Sequence, residues 1–259
     1  MVNDFNRTNA DAVVTKIINS GGQAVANCDS VTDGAANIIQ TAIKHFGRID
    51  VLVNNAGFLL DQTFLKMTED KWDAVLKVHL EGTYSMTKAA WPYFVQQNYG
   101  RVINTSSTSG IYGSFGQTNY AAAKLGIFGL TQALAREGSP YNIIAHTIAP
   151  VAGSQAAMDR GWGLSPVLKG SYNAPLVVLL GSDRAPPSDS NYIFEQGSGW
   201  IAATRQRQCS YSAPSQISHN NSNIQTTNME GESPFKLHRI IGNRSIYSDW
   251  VDLRSRIST

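Results

Sequence analysis

Two cysteines, Cys28 and Cys209, are all that the 259 residues contain. That is too few for a disulfide framework and suits a reducing compartment. Cys28 ends an apolar, strand-like run, which predicts a buried free thiol. No apolar run reaches the about 18 residues a membrane-spanning helix needs, and the first residues lack a signal-peptide core. Clustered basic residues are missing as well. Residues 1–201 carry 14 Lys/Arg against 15 Asp/Glu, while 202–259 carry 7 against 4. The formal charge of +2 therefore belongs to the tail and is too dilute for a nucleic-acid footprint. His45, His146, His219 and His238 show no metal-ligand spacing with each other or with the cysteines, so no metal site is expected.

What is present is enough for one α/β domain with a full core. Met1 to Asn3 reads as the end of a strand with Asp4 at its tip, and Asn9 to Asn19 as an amphipathic helix stopped by Gly21-Gly22. Gln23 to Cys28 is a short strand, and Asp33 to Phe46 a helix closed by Gly47. Val51, Leu52 and Val53 form a continuous apolar run, the pattern of a strand buried on both faces. A long helix spans Glu69 to Gln97, with Thr68 as its N-cap and a kink or boundary expected at Pro92. The strand Arg101–Ser107, a Gly/Ser-rich loop, the helix Gln117–Gly138 and the strand Ile143–Ala149 follow. Leu125, Phe128, Leu130 and Ala133 are expected to form the core stripe of that helix, and Trp72, Trp91, Trp162 and Trp200 to be packing residues. Residues 151–172 read as a loop or lid, Asn173–Gly181 as a short helix and Tyr192–Glu195 as a last strand. Alternating strands and helices predict a Rossmann-like, doubly wound parallel sheet over 1–201. The Ser/Asn/Gln/Thr-rich composition of 202–259 predicts a poorly structured tail.

The chemistry gathers between Asn104 and Lys124. Tyr120 and Lys124 are four apart and share one helix face. Ser107, at the end of the preceding strand, can meet them across the loop. A hydroxyl, a phenol and an ammonium converging at a strand's carboxyl end form a proton-transfer site where open α/β sheets bind ligands.

Asn54-Asn-Ala-Gly57, Ser107 and Tyr120-x-x-x-Lys124, in that order, resemble the short-chain dehydrogenase/reductase family. Trp72-Asp, Val78-His79-Leu80, Lys88-Ala-Ala-Trp91-Pro, Ser109 to Tyr120 and Gly197-Ser-Gly-Trp-Ile201 are similar to the dehydrogenase region of peroxisomal multifunctional enzyme type 2, its fungal forms most of all. The resemblance implies oxidation of (3R)-3-hydroxyacyl-CoA to 3-ketoacyl-CoA with NAD in peroxisomal fatty-acid β-oxidation, by a homodimer. It makes Tyr120 the general base, Lys124 the ammonium that stabilises the phenolate and binds the nicotinamide ribose, and Ser107 the holder of the substrate oxygen. A free tyrosine has a pKa of about 10, so such help is needed near neutral pH. His79 takes the place of the family's relay asparagine; it either holds a relay water or is a helix residue with one satisfied nitrogen. Asp4 is implied to bind the adenosine ribose hydroxyls and to repel a 2′-phosphate, Asp29 to sit beside the adenine, and Asn55 and Gly57 to line the groove.

The family pattern opens with a strand, a glycine-rich turn and a helix about thirty residues before the position of Asp4, and nothing here matches them. The resemblance thus implies an N-terminally truncated domain whose sheet is broken between the strand ending at Asp4 and the strand ending at Asn54. Gly110-x-x-Gly113-x-x-Gly116 follows the wrong strand to replace that turn. Ser154 is the nearest counterpart of the threonine that meets the nicotinamide amide. The terminal Ile-Ser-Thr is not a peroxisomal Ser-Lys-Leu signal, so without the resemblance a cytoplasmic location is expected. The competing expectation is a catalytically silent dehydrogenase fragment acting as an interaction module.

Overall fold

Parallel strands separated by helices set the architecture. A computed structural model describes residues 1–150, 170–187, 190–195 and 200–205. Ser154, Trp162, Cys209 and the segment 206–259 lie outside these. The strands are β1 (Val2–Asn3), β2 (Ala26–Asn27), β3 (Val51–Asn54), β4 (Gly100–Thr105), β5 (Ile143–Pro150), β6 (Ser190–Glu195) and β7 (Trp200–Arg205). The helices are α1 (Arg7–Asn19), α2 (Ala35–Phe46), α3 (Glu69–Leu76), α4 (Gly82–Gln97), α5 (Thr108–Tyr112), α6 (Thr118–Gly138) and α7 (Ala174–Gly181).

β3, β4, β5 and β6 pair in parallel, and β7 adds antiparallel to β6. β6 is therefore not the last strand. β1 and β2 form a separate parallel pair. The expected break is present: a cleft of about 940 Å³ lies between the two sheets, walled by Met1, Asn3 and Asp4 on one side and Val51 to Gly57 on the other.

Helices cover both faces of the larger sheet. On one, Ile38 and Ile39 of α2 and Met86, Ala90 and Phe94 of α4 pack with Leu52, Val102, Ile143 and Ala145. On the other, Leu176 and Leu180 of α7 pack with Ile103 and Ile148. Burying such side chains contributes on the order of 1.5–3 kcal/mol each, enough to fix the strand order around the site. Helix ends follow local chemistry. Asn6 caps α1 through Oδ1 to Thr8 N and Asn9 N, Thr68 caps α3, and Gly47 closes α2 in the left-handed conformation at φ +75°.

Several expectations are corrected. β3 is buried on one face only: Leu52 is covered, while Val51 and Val53 are 39% and 43% exposed, because β3 pairs with β4 alone and its other edge meets the cleft. The long helix is interrupted at a π-helical turn, Lys77–Glu81, and not at Pro92, which sits inside α4. The core stripe of α6 is Ala123, Ile127, Thr131 and Ala135. Leu125 is 52% exposed, because the small and polar face carrying Lys124 and Thr131 is the one packed on the sheet. Cys28 is free but only half-buried, since β2 ends one residue before it.

Candidate active site

β4 ends at Thr105, and two residues later the chain turns into the short helix α5, which sequence reading took for a loop. Ser107 caps α5, its Oγ accepting from Ser109 N at 3.1 Å. α5 lies close on α6 at Gly110, where a Cβ would come within 2.9 Å of Leu125 N and Lys124 Cβ. Two bonds then fasten α6 to the strand end: Ser106 Oγ donates to Lys124 O at 2.7 Å, and Lys124 Nζ donates to Thr105 O at 2.6 Å.

The three expected groups do converge. Ser107 stands beside the Tyr120 phenol, and Lys124 Nζ lies 5.5 Å from the centre of the Tyr120 ring. Burial raises the Tyr120 phenol above its ordinary value, and the neighbouring Ser107 hydroxyl works against that rise. Lys124 is 3% exposed, and among the described residues no carboxylate pairs with it. Desolvation lowers it to about 7. The site is thus a poorly solvated pocket in which neither group holds its charge at low cost.

His79 occupies the π turn and presents its ring edge to Tyr120, with centroids 5.2 Å apart at 83°. Its Nε2 lies 2.7 Å from Phe58 O and 3.2 Å from Phe58 N, and its buried Nδ1 has no partner among the described residues. Burial and the nearby Lys124 lower His79 to about 4, so it is neutral near pH 7. In the unfolded chain it protonates near 6.5, and stability is therefore lost as pH falls from about 6.5 toward 4, by about 3 kcal/mol in all. Denaturant midpoints across that window are expected to fall less steeply in His79→Asn than in the parent chain.

The ring fits only because residue 57 is glycine. A Cβ on Gly57 would stand 1.9 Å from His79 Cε1 and 2.5 Å from Nδ1. Gly57→Ala is expected to cost about 1–3 kcal/mol by denaturant melt. The cost should shrink in a His79→Ala background, where space is opened.

A chain of buried hydrogen bonds supports the turn. Thr83 Oγ1 donates to His79 O at 2.6 Å, Thr87 Oγ1 to Thr83 O, Asn54 Nδ2 to Thr87 Oγ1 and to Asn104 Oδ1, and Asn104 Nδ2 to Thr131 Oγ1. Sequence reading missed Asn54, Asn104 and Thr131 as supports, although buried amides inside apolar strands were the available signal. It also missed Asn119, which is fully buried beside Tyr120.

Asp4, Asp29, Asn55 and Gly57 all line the cleft between the sheets. Asp4 Oδ1 accepts from Asn6 N at 2.8 Å. Asp29 Oδ2 accepts from Asn27 Nδ2 at 3.1 Å, and Asn55 Oδ1 accepts from Thr105 Oγ1 at 3.4 Å. The cleft thus offers carboxylates on the β1–β2 side and Asn55 and Gly57 on the β3 side. Among the described lining residues no glycine-rich turn opens a helix toward a diphosphate between them.

The pattern of the short chain dehydrogenase family matches residues 1–162. Over 208 residues the chain is 50% identical to the peroxisomal hydratase-dehydrogenase-epimerase of Neurospora crassa, covering 79% of this chain and 23% of that one. The full-length peroxisomal multifunctional enzyme type 2 of Drosophila melanogaster superposes with a TM-score of 0.62 at 40% identity, over 75% of this chain and 33% of its own. A short chain dehydrogenase of Mycobacterium avium superposes with a TM-score of 0.69 at 33% identity, over 87% and 78%. The chain thus spans about a quarter of the length of the fungal relative. With Ser107 after β4, Tyr120 and Lys124 on α6, and the family pattern running from β1 through β5, this chain is a member of the short-chain dehydrogenase family.

Proposed function

We propose that the chain is an NAD-dependent dehydrogenase that oxidises (3R)-3-hydroxyacyl-CoA to 3-ketoacyl-CoA. The observation that carries the reading is the Ser107–Tyr120–Lys124 convergence, with His79 packed between Tyr120 and Gly57 of the cleft wall. Kinship with multifunctional β-oxidation proteins supports the substrate class and a peroxisomal setting.

As the phenolate, Tyr120 Oη takes the proton of the substrate hydroxyl, while Ser107 Oγ holds that oxygen. Bound nicotinamide dinucleotide supplies the acceptor for the hydride leaving carbon 3. Lys124, anchored on Thr105 O, disfavours the protonated phenol whenever it carries charge. His79, neutral near pH 7, holds a relay water on Nδ1 rather than carrying a proton itself. Asp4 disfavours a 2′-phosphate by like-charge repulsion. Asp4→Ser, which keeps an acceptor for Asn6 N, is expected to narrow NAD-over-NADP selectivity about tenfold or more, read as the ratio of kcat/KM values.

A homodimer is part of the proposal. α4 and α6 leave an apolar groove of about 420 Å³ lined by Tyr84, Trp91, Leu130 and Leu134, and Tyr84 and Leu125 nearby are 48% and 52% exposed. Such a face is normally covered by a partner.

One observation favours a second reading, a chain that keeps the proton-transfer set without turning over alone. The cleft splits the sheet and brings no phosphate cradle among its described residues. Absorbance at the NADH band during incubation with (3R)- and (3S)-3-hydroxyacyl-CoA separates the readings. Turnover of the (3R) thioester only is expected; equal rates with both, or none with either, contradict the proposal.

A further inference from the structure

The segment leaving β3 does not simply hang over the site; it is stitched to the start of α6. Gln62 N donates to Gly116 O at 2.8 Å, Gln117 Nε2 donates to Asp61 Oδ2 at 2.9 Å, and Lys71 Nζ of α3 donates to Gln62 Oε1 at 2.8 Å. The deepest stitch is Asn119. Its Nδ2 donates to Leu60 O and to Lys71 O, both at 3.1 Å, and its Oδ1 accepts from Tyr120 N at 2.8 Å. The residue has no exposed surface. Both amide protons and the amide oxygen are used, joining the strap, α3 and the backbone of Tyr120 at one point.

The same strap also reaches the Tyr120 ring. Phe58, two residues before Leu60, holds the His79 ring that packs edge-on against Tyr120. Residues 58–60 therefore hold Tyr120 at two points, its ring through His79 and its backbone through Asn119. α6 has no side-chain cap: Gln117 makes no capping bond to the first turn. The Asn119 bonds supply the fixed reference that a cap would otherwise give.

We propose that Asn119 is a positioning residue that sets the Tyr120 phenol against Ser107 by tying the start of α6 to Leu60 and Lys71. The inference rests on the reading of Tyr120 as proton acceptor, but its geometry can be tested without turnover. An amide is needed here: an apolar side chain takes the Nδ2 donor away from both Leu60 O and Lys71 O, and a carboxylate offers no proton to either.

The test is a mutant cycle on the phenol itself, read by fluorine NMR of protein labelled with fluorotyrosine, whose ring titrates below that of tyrosine and within the folded range. The Tyr120 resonance is assigned by its loss in Tyr120→Phe. The charged and titratable neighbours facing it are Lys124 and His79, and both stay in place throughout. Ser107→Ala is expected to move the Tyr120 titration upward, because Ser107 lowers it. Asn119→Ala should move it upward as well, and Ser107→Ala should then add nothing. Asn119→Leu, which keeps the branched heavy-atom skeleton of asparagine, should behave like Asn119→Ala and guards against a packing loss. Gln117→Ala removes a neighbouring stitch of the same strap and should leave the titration where it was. Additive shifts from Ser107 and Asn119, or an equal shift from Gln117→Ala, would overturn the positioning role. Failure of the catalytic reading looks different: turnover would persist in Tyr120→Phe whatever the cycle shows.

Discussion

Tyr120→Phe lowers kcat about 10²- to 10⁴-fold and leaves NADH affinity within about twofold. Only one oxygen is removed. The ring keeps its edge contact with His79 at 5.2 Å and its place 5.5 Å from Lys124 Nζ. What disappears is the hydroxyl beside Ser107 and with it the whole of the proton path. A loss confined to kcat marks a group that acts in the transition state rather than in binding. Steady-state kinetics beside a binding titration reads both quantities, and unchanged turnover would remove Tyr120 from the mechanism.

Lys124→Met is expected to stabilise the protein while disabling it. Burial lowers Lys124 from 10.5 to about 7, so the unfolded chain binds more protons than the folded one between those values. Stability contributed through this residue therefore rises with pH from about 7 to about 10.5, and near pH 7 the buried amine costs several kcal/mol. Methionine fills a similar volume without charge. Its net gain at pH 7 is expected to be about 1–3 kcal/mol, reduced by the donor lost from Thr105 O. The gain should shrink as pH approaches 10. Turnover falls about 10²-fold or more, because no ammonium remains to disfavour the protonated phenol. Chemical melts at pH 7 and pH 9.5, paired with rates, test both halves. A destabilised Lys124→Met at pH 7 would mean that the amine is better solvated than its burial indicates.

Much of this was legible in the sequence, for identifiable reasons. The apolar spacing of α1 and α2, with Gly21 and Gly47 beyond them, marks helices because periodicity and termination agree. Ser107, Tyr120 and Lys124 were readable because a spacing of four on a helix is nearly a contact in itself. Other features depend on what surrounds an element. In α6 the larger side chains suggested the wrong face: close packing on β4 and β5 selects Ala123, Ile127 and Ala135 and leaves Leu125 outside. Val51 and Val53 have the composition of a doubly covered strand, yet the cleft beside β3 exposes them. The π turn at Lys77–Glu81 carries His79 into the site beside Gly57 and is followed only by Gly82, whereas Pro92, the stronger helix breaker, sits inside α4. Asn119 was hidden because its partners, Leu60 O and Lys71 O, are backbone groups 59 and 48 positions away.

Whether the site works depends on the cofactor reaching it through a cleft that offers Asp4 and Asp29 at one end and Asn55 and Gly57 at the other. Titration of the purified chain with NADH, followed by the nucleotide's fluorescence, measures that directly. Saturable binding in the micromolar range, weakened by Asp4→Ser, is predicted; no binding up to millimolar nucleotide would contradict an NAD-dependent dehydrogenase.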